Sequence, residues 1–125
     1  MRERASPPVR SLTLKVTVGQ DAAETCLQGL TVAAIAAASG SAVSLWLTGE
    51  AVRLATVGHD VLIPASPPAS ELLASVLALG SVTACTQCLA RRELGPADLL
   101  AGVQVAGAAS FVAEILAEGT QALVY

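Results

Sequence analysis

Two cysteines in a C-x-x-C arrangement, Cys85 and Cys88, are the residues of this sequence best suited to chemistry. A short apolar run at residues 81–84 predicts a strand that ends at Cys85, and a helix carrying Cys88 should follow directly. At a helix start, unpaired backbone N–H groups and the positive end of the helix dipole favour a thiolate over a thiol. Cys85 is therefore the predicted nucleophile, and Cys88 lies one turn away, within reach of any group that Cys85 carries. The alternative is a small buried cysteine without reactivity.

Two arginines and a glutamate are candidates for supporting roles. Arg91 and Arg92 follow Cys88 by three and four residues, so all three should share one side of the helix. The arginines could hold an anion or guide an acidic partner there, or they could only offset the helix dipole. Glu50 follows a predicted strand and is either a residue at the rim of the site or, as we favour, a carboxylate at a helix start.

The single histidine and the third cysteine have weaker functional interpretations. His59 lies in an irregular, proline-rich segment at residues 56–68. It could move over Cys85 to stabilise or deprotonate its thiol, but we favour an exposed loop histidine without a role. Cys26 falls within an apolar helical pattern, which favours a place in the core.

Composition excludes several classes of function. The net charge is −3 and the pI is about 4.9, so the chain lacks the concentrated basic surface that nucleic-acid binding requires. Three cysteines with one close pair do not form a disulfide framework, and they suit a reducing cytoplasm. We expect no cofactor, because the sequence has no glycine-rich phosphate loop. We expect no metal, because a fourfold zinc site would need Cys26 and His59 to converge on the C-x-x-C pair.

Two long uncharged stretches, residues 25–49 and 72–90, raise the question of a membrane span. Gly40 interrupts the first stretch and Gly80 the second, so neither forms one continuous apolar helix. No basic cluster flanks either stretch as an orientation signal. The N-terminus has no apolar segment of a secretory signal. We therefore expect no membrane association.

Strand and helix patterns alternate along the chain after a charged, proline-containing segment at residues 1–10, which we predict to be a flexible tail. The domain should span residues 11–125. Alternating or short apolar runs predict five strands, at about 12–18, 42–47, 81–84, 103–106 and 121–124. Helices are predicted between them, at about 22–39, 50–55, 69–79, 86–94 and 108–116. Asp21 with Glu24 matches a capping box for the first helix.

This alternation predicts a single-domain α/β fold with three layers, α/β/α. The five-stranded sheet should be mainly parallel, as in Rossmann or flavodoxin-like folds, with right-handed crossovers and helices on both faces. In such sheets ligands bind beyond the carboxyl ends of the strands, and Cys85 is predicted at one of those ends.

The sequence from residue 11 to Val124 resembles the DsrE/DsrF-like sulfur-relay family, which includes TusD-type and YchN-type proteins. In the TusD-type members, the cysteine that carries a persulfide is followed six and seven positions later by paired arginines, and Cys85 with Arg91 and Arg92 keeps that spacing. Other members have a C-x-x-C at this place. One departure is Glu93, where family members often have glycine.

The resemblance implies a carrier that accepts sulfane sulfur as a persulfide on Cys85 and passes it on, which makes it a possible sulfurtransferase. Its partners would be a sulfur-donor and a sulfur-acceptor protein. It also implies a homotrimer or hexamer, and the many apolar helix positions favour assembly as well. We place the 56–68 segment near a neighbouring subunit's Cys85. The alternatives are a dithiol redox protein and an oligomeric binding or scaffold subunit with structural cysteines.

Overall fold

Five parallel strands and four α-helices alternate within residues 10–125, the part of the chain that the computed structural model describes. The strands are β1 (Ser11–Val16), β2 (Ala42–Leu47), β3 (Ser81–Cys85), β4 (Gln104–Ala106) and β5 (Thr120–Val124). The helices are α1 (Ala23–Ala38), α2 (Ala69–Leu79), α3 (Thr86–Arg91) and α4 (Ala108–Ile115). Short 3-10 turns occupy Gln20–Ala22, Gly49–Ala55 and Pro96–Asp98. Residues 1–9 of the predicted tail lie outside the described residues.

The strands form one sheet in the order β4-β3-β2-β1-β5, and every neighbouring pair is parallel. This confirms the predicted α/β fold and parallel sheet. From β1 to β4 the chain adds each new strand at the same edge of the sheet. It then crosses back over the sheet, and β5 pairs with β1 at the opposite edge. Because crossovers between parallel strands are right-handed, the reversal sends α4 to the sheet face opposite α1 and α2.

The face under α1 and α2 is the hydrophobic core. Alternate strand residues such as Leu14, Leu45 and Val82 are fully buried there, and they oppose one another in register. Small residues let α1 approach the sheet closely. A Cβ on Gly29 would lie 2.7 Å from Val16 Cγ2, so a larger residue at this position would force the packed Val16 side chain to shift. The alanine-rich composition therefore serves close helix-to-sheet packing.

The opposite face is polar and thinly covered. In register across the sheet, Lys15 lies opposite Trp46, and Trp46 lies opposite Thr83. Of the helices that the structure describes, α4 is the one that contacts this face, and none of its residues is buried. Helices thus lie on both faces, as predicted, but the second layer is a single eight-residue helix.

The start of α1 differs from the predicted capping box. Ala22 occupies the N-cap position without a side-chain cap, and the Asp21 carboxylate accepts a hydrogen bond from the Gly19 N–H at 2.8 Å. The 3-10 turn before α1 places Asp21 one residue too early to cap the helix. Gly40 ends α1 as expected, with a φ of +94°. Within residues 10–125, no helix is long and apolar enough to cross a membrane.

Candidate functional site

Cys85 is the last residue of β3 and the N-cap of α3, which confirms its predicted place between strand and helix. Its extended backbone, with φ −67° and ψ 123°, turns the chain into α3. Burial alone would raise the pKa of Cys85, but hydrogen bonds from the backbone N–H and the thiol of Cys88 and from the Gln87 N–H outweigh it. With the positive charge of Arg91, they hold the pKa of the Cys85 thiol below its usual value.

The other two cysteines are less accessible. Cys88 is buried on α3, with Arg91 Nη1 4.0 Å from its sulfur. Cys26 is fully buried in α1, as favoured above. Burial, with a smaller effect of the nearby Asp21 charge, raises the pKa of Cys26 to about 11. Cys85 is thus the half-exposed thiol of the three and the one best suited to act as a nucleophile.

Cys85 opens into a cavity of about 240 Å³ between the polar face of the sheet and α4. Its apolar walls include Trp46 and Phe111, whose rings meet edge to face with centroids 5.4 Å apart. Glu114 of α4 accepts hydrogen bonds from the Trp46 indole at 3.2 Å and from the Thr13 hydroxyl at 2.9 Å. These two bonds join α4 to β1 and β2 beside the cavity.

The two arginines have different partners. Arg91 is directed at the Cys88 sulfur, whereas Arg92 Nη1 donates to the Cys88 carbonyl at 3.0 Å. Arg92 Nε also lies 3.6 Å from the Glu50 carboxylate, which pairs with Arg53 at 2.6 Å. The hydrogen bond from Arg53, and then the charges of Arg53 and Arg92, keep the pKa of Glu50 below its usual value despite an opposing effect of burial. Arg91 is therefore the arginine closer to the thiols.

His59 lies away from the cysteine cavity. Its Nδ1 is 2.8 Å from the Thr56 hydroxyl, and its side chain lines a second cavity of about 310 Å³. Glu50 and Asp60 line this second cavity too. The structure thus groups Cys85 with Cys88 and Arg91, and it places His59 and Glu50 in the neighbouring cavity.

No three His, Cys, Asp or Glu side chains within residues 10–125 come together as a metal site. Cys26 lies in α1 beneath the opposite face of the sheet, so it does not converge with the C-x-x-C pair. His59 is held by Thr56 in the neighbouring cavity.

Sequence analysis missed the lining residues of the cysteine cavity other than the cysteines, and the largest of them are Lys15, Trp46 and Phe111. The alternation of side chains along β1 and β2 places Lys15 and Trp46 on the strand sides opposite the core residues. This alternation was the signal in the sequence that could have identified them. The sequence does not reveal the register that places both beside α4. Phe111 reaches them from 65 positions beyond Trp46 because β5 returns past β1.

Cys85 is expected to be the first thiol that iodoacetamide alkylates in the folded protein at neutral pH. Its thiolate is favoured and it lines the cavity, whereas Cys26 has a pKa of about 11 and is buried. The alkylation rate of Cys85 should reach half its maximum below the pH of ~8.5 typical of free cysteine. Peptide mass mapping over a pH series measures both the order in which the cysteines are alkylated and the pH dependence of the Cys85 rate. In denaturant the preference should disappear, and faster labelling of Cys26 in the folded protein would contradict the assignment.

Comparisons with known proteins identify the family and the fold. The model of the DsrE/DsrF-like family matches residues 11–125. The crystal structure of the ychN protein from E. coli superposes with a TM-score of 0.79 at 17% identity, covering 93% of this chain and 99% of that one. A protein of unknown function, MTH1491 from Methanobacterium thermoautotrophicum, has a TM-score of 0.66 at 14% identity with the same coverage of both chains. No curated protein sequence matches the chain significantly.

Proposed function

Because the chain belongs to the DsrE/DsrF-like family, which is generally related to sulfur relay, we propose that it carries sulfane sulfur as a persulfide on Cys85. The observation that supports this most is the state of the Cys85 thiol. It is half-exposed on a cavity wall, and two backbone N–H groups and a second thiol favour its ionised form. A gain of one sulfur atom on Cys85 after exposure to a persulfide donor, detected by intact mass, is the test.

The proposed transfer needs no change of net oxidation state. The Cys85 thiolate attacks the outer sulfur of a donor persulfide, and a new S–S bond forms as the donor's S–S bond breaks. The donor cysteine leaves as a thiolate and takes a proton from water. An acceptor thiolate then attacks the terminal sulfur on Cys85, and Cys85 leaves as a thiolate. Each step exchanges one disulfide-type bond for another, so this sulfurtransferase chemistry requires no cofactor.

A donor protein and an acceptor protein are the proposed partners. The cavity of about 240 Å³ is larger than one sulfur atom requires, so a partner's cysteine side chain can approach Cys85 through it. Such chemistry needs free thiols, which a reducing cytoplasm preserves, and we propose that location.

A dithiol reaction is the second candidate, and the position of Cys88, three residues after Cys85 on the same cavity, favours it. If Cys88 attacks the inner sulfur of the Cys85 persulfide, a Cys85–Cys88 disulfide forms and hydrogen sulfide leaves. Intact mass separates the two outcomes after a persulfide donor is added. Relay gives a gain of one sulfur, whereas the dithiol reaction gives a loss of two hydrogens that a reductant reverses.

Self-association is also proposed, as a homotrimer or hexamer. Exposed apolar side chains are concentrated in the last quarter of the chain, at Val105, Val112, Leu116, Leu123 and Val124. Val112 of α4, Leu116 at its C-terminal end and Val124, which is in register with Lys15, lie on the thinly covered side of the sheet. Val105 and Leu123, in register with Ala84 and Leu14, lie on the other face at the two edge strands. A second copy packed over the thinly covered side would remove the first three from water. Val57 and Leu62 are exposed as well, so the 56–68 segment is suited to contact a neighbouring subunit near its Cys85.

Light scattering is expected to give about three or six times the 12.5 kDa of one chain at micromolar concentration. Leu116→Glu should lower this mass, because it places a charge in the exposed apolar region, where Leu116 is 76% exposed. Ile35→Glu is the matched control, since Ile35 is 62% exposed on α1 at the opposite face. A wild-type mass of one chain would contradict the assembly.

A further inference from the structure

The only lysine of the chain, Lys15, lines the cavity of Cys85. It lies on β1, and the register places it in one row with Trp46 of β2 and Thr83 of β3. Cys85 follows Thr83 by two residues and therefore lies on the same face of the sheet, one row nearer the carboxyl ends. The Lys15 ammonium lies 4.9 Å from the centre of the Phe111 ring. The chain thus places a cation on an aromatic wall beside its candidate nucleophile.

This cation has no ion-pair partner among residues 10–125. The ion pairs found there join Glu50 to Arg53 and to Arg92. The one carboxylate of α4, Glu114, is engaged by Thr13 at one oxygen and by Trp46 at the other. A half-buried ammonium in an apolar-walled space loses hydration, and its contact with Phe111 replaces only part of it. An anion that enters the cavity would supply the missing interaction.

We propose that Lys15 makes the cavity an anion site next to Cys85, and that its occupant during relay is the terminal sulfur of the Cys85 persulfide. The identity of this occupant rests on the proposed function. A persulfide is more acidic than the corresponding thiol, so its terminal sulfur is largely an anion at neutral pH. In a site partly shielded from water, a nearby cation stabilises that anion more strongly than it would in bulk water. Lys15 is thus a positioning residue that retains the loaded sulfur.

The charged and titratable groups around this position come from four elements. Lys15 belongs to β1, Cys85 ends β3, Cys88 and Arg91 belong to α3, and Glu114 belongs to α4. The other residues that line the cavity carry no charge. Arg91 is directed at the Cys88 sulfur, so the two cations contact different groups and can be tested separately.

Charge-selective alkylation tests the anion site without any persulfide. Iodoacetate and iodoacetamide are similar in size and react with the same thiolate, but only iodoacetate is an anion. Lys15→Met should lower the ratio of the iodoacetate rate to the iodoacetamide rate at Cys85 by about tenfold, equivalent to about 1.4 kcal/mol. A purely structural effect would change both rates together and leave this ratio unaltered. An unchanged ratio in Lys15→Met would overturn the proposal.

Two matched variants complete this test. Lys15→Arg keeps the charge and should keep most of the selectivity. Arg10→Gln removes one positive charge at an exposed position before β1, and it should leave the ratio at the wild-type value. Trp46 is the single tryptophan and is buried beside the cavity, so its fluorescence reports whether each variant is folded. If Lys15→Met does not fold, Lys15→Gln takes its place, with the same expected loss of selectivity.

The lifetime of the Cys85 persulfide tests whether its terminal sulfur is the anion that Lys15 stabilises. After loading, and without an acceptor, Lys15→Met should lose the added sulfur several times faster than wild type, as intact mass over time would show. If wild type loads and the variant matches it in both lifetime and selectivity, the role of Lys15 is wrong while sulfur relay stands. If wild type never loads but selectivity still depends on Lys15, the anion site stands and the proposed function fails.

Discussion

Cys85→Ser is expected to abolish the uptake of sulfur from a persulfide donor. The wild-type protein should gain about 32 Da, the mass of one sulfur atom, and the variant should gain none, because a serine hydroxyl is not ionised at neutral pH and forms no persulfide. Cys88 also lines the cavity but is buried, whereas Cys85 is half-exposed and its ionised form is favoured, so neither remaining cysteine should replace it. Intact mass before and after incubation measures the gain, and treatment with a reductant should reverse it.

The other two cysteines provide matched controls for this prediction. Cys26→Ser removes a thiol that is buried in α1 away from the cavity, so the gain should persist in the folded variant. Cys88→Ser should retain the added sulfur or hold it longer, because a thiol able to displace it is removed. Equal loading of wild type and Cys85→Ser would show that Cys85 is not the carrier.

Gly49→Ala is expected to cause a large loss of stability, at the carboxyl end of β2 beside the cavity. Gly49 has a φ of +54°, and an added Cβ would collide with the Thr17 carbonyl oxygen. The Thr17 backbone is held in place there, because its N–H and its hydroxyl both donate to the Tyr125 carbonyl at 2.9 Å, just after β5. Backbone strain and the collision together should lower the free energy of unfolding by about 3 kcal/mol or more. Urea denaturation followed by Trp46 fluorescence measures it.

Gly58→Ala separates the two causes. Gly58 also has a positive φ, +87°, but a Cβ there would meet no atom within 4 Å. Gly58→Ala should lower the free energy of unfolding by about 1 to 2 kcal/mol, the cost of the left-handed backbone alone. Gly49 also lines the cavity, so Gly49→Ala should slow sulfur loading at temperatures where the variant is folded, whereas Gly58→Ala should not. Equal losses of stability in the two variants would show that the Thr17 carbonyl adjusts without cost.

The sequence alone was enough to predict the order and type of the elements. The polar-apolar alternation of β1, the stop at Gly40 and the apolar run before Cys85 are local signals, and each depends on residues close together in the chain. Strands alternating with helices then favour parallel pairing, because a parallel strand can be reached only through a long crossover, which is usually a helix. The place of Cys85 at a carboxyl end of the sheet followed from the same local pattern.

The surroundings of Cys85 were decided by tertiary structure. Lys15 and Phe111 meet beside it although 96 positions separate them, because the chain returns past β1 before adding β5. No local pattern encodes that strand order or the register between strands. The partners of Arg91 and Arg92 were equally open, because these adjacent residues point about 100° apart around the helix, one to the Cys88 sulfur and the other to its carbonyl. The sequence determined which residue is the nucleophile to test, and the fold decided which charges and walls surround it.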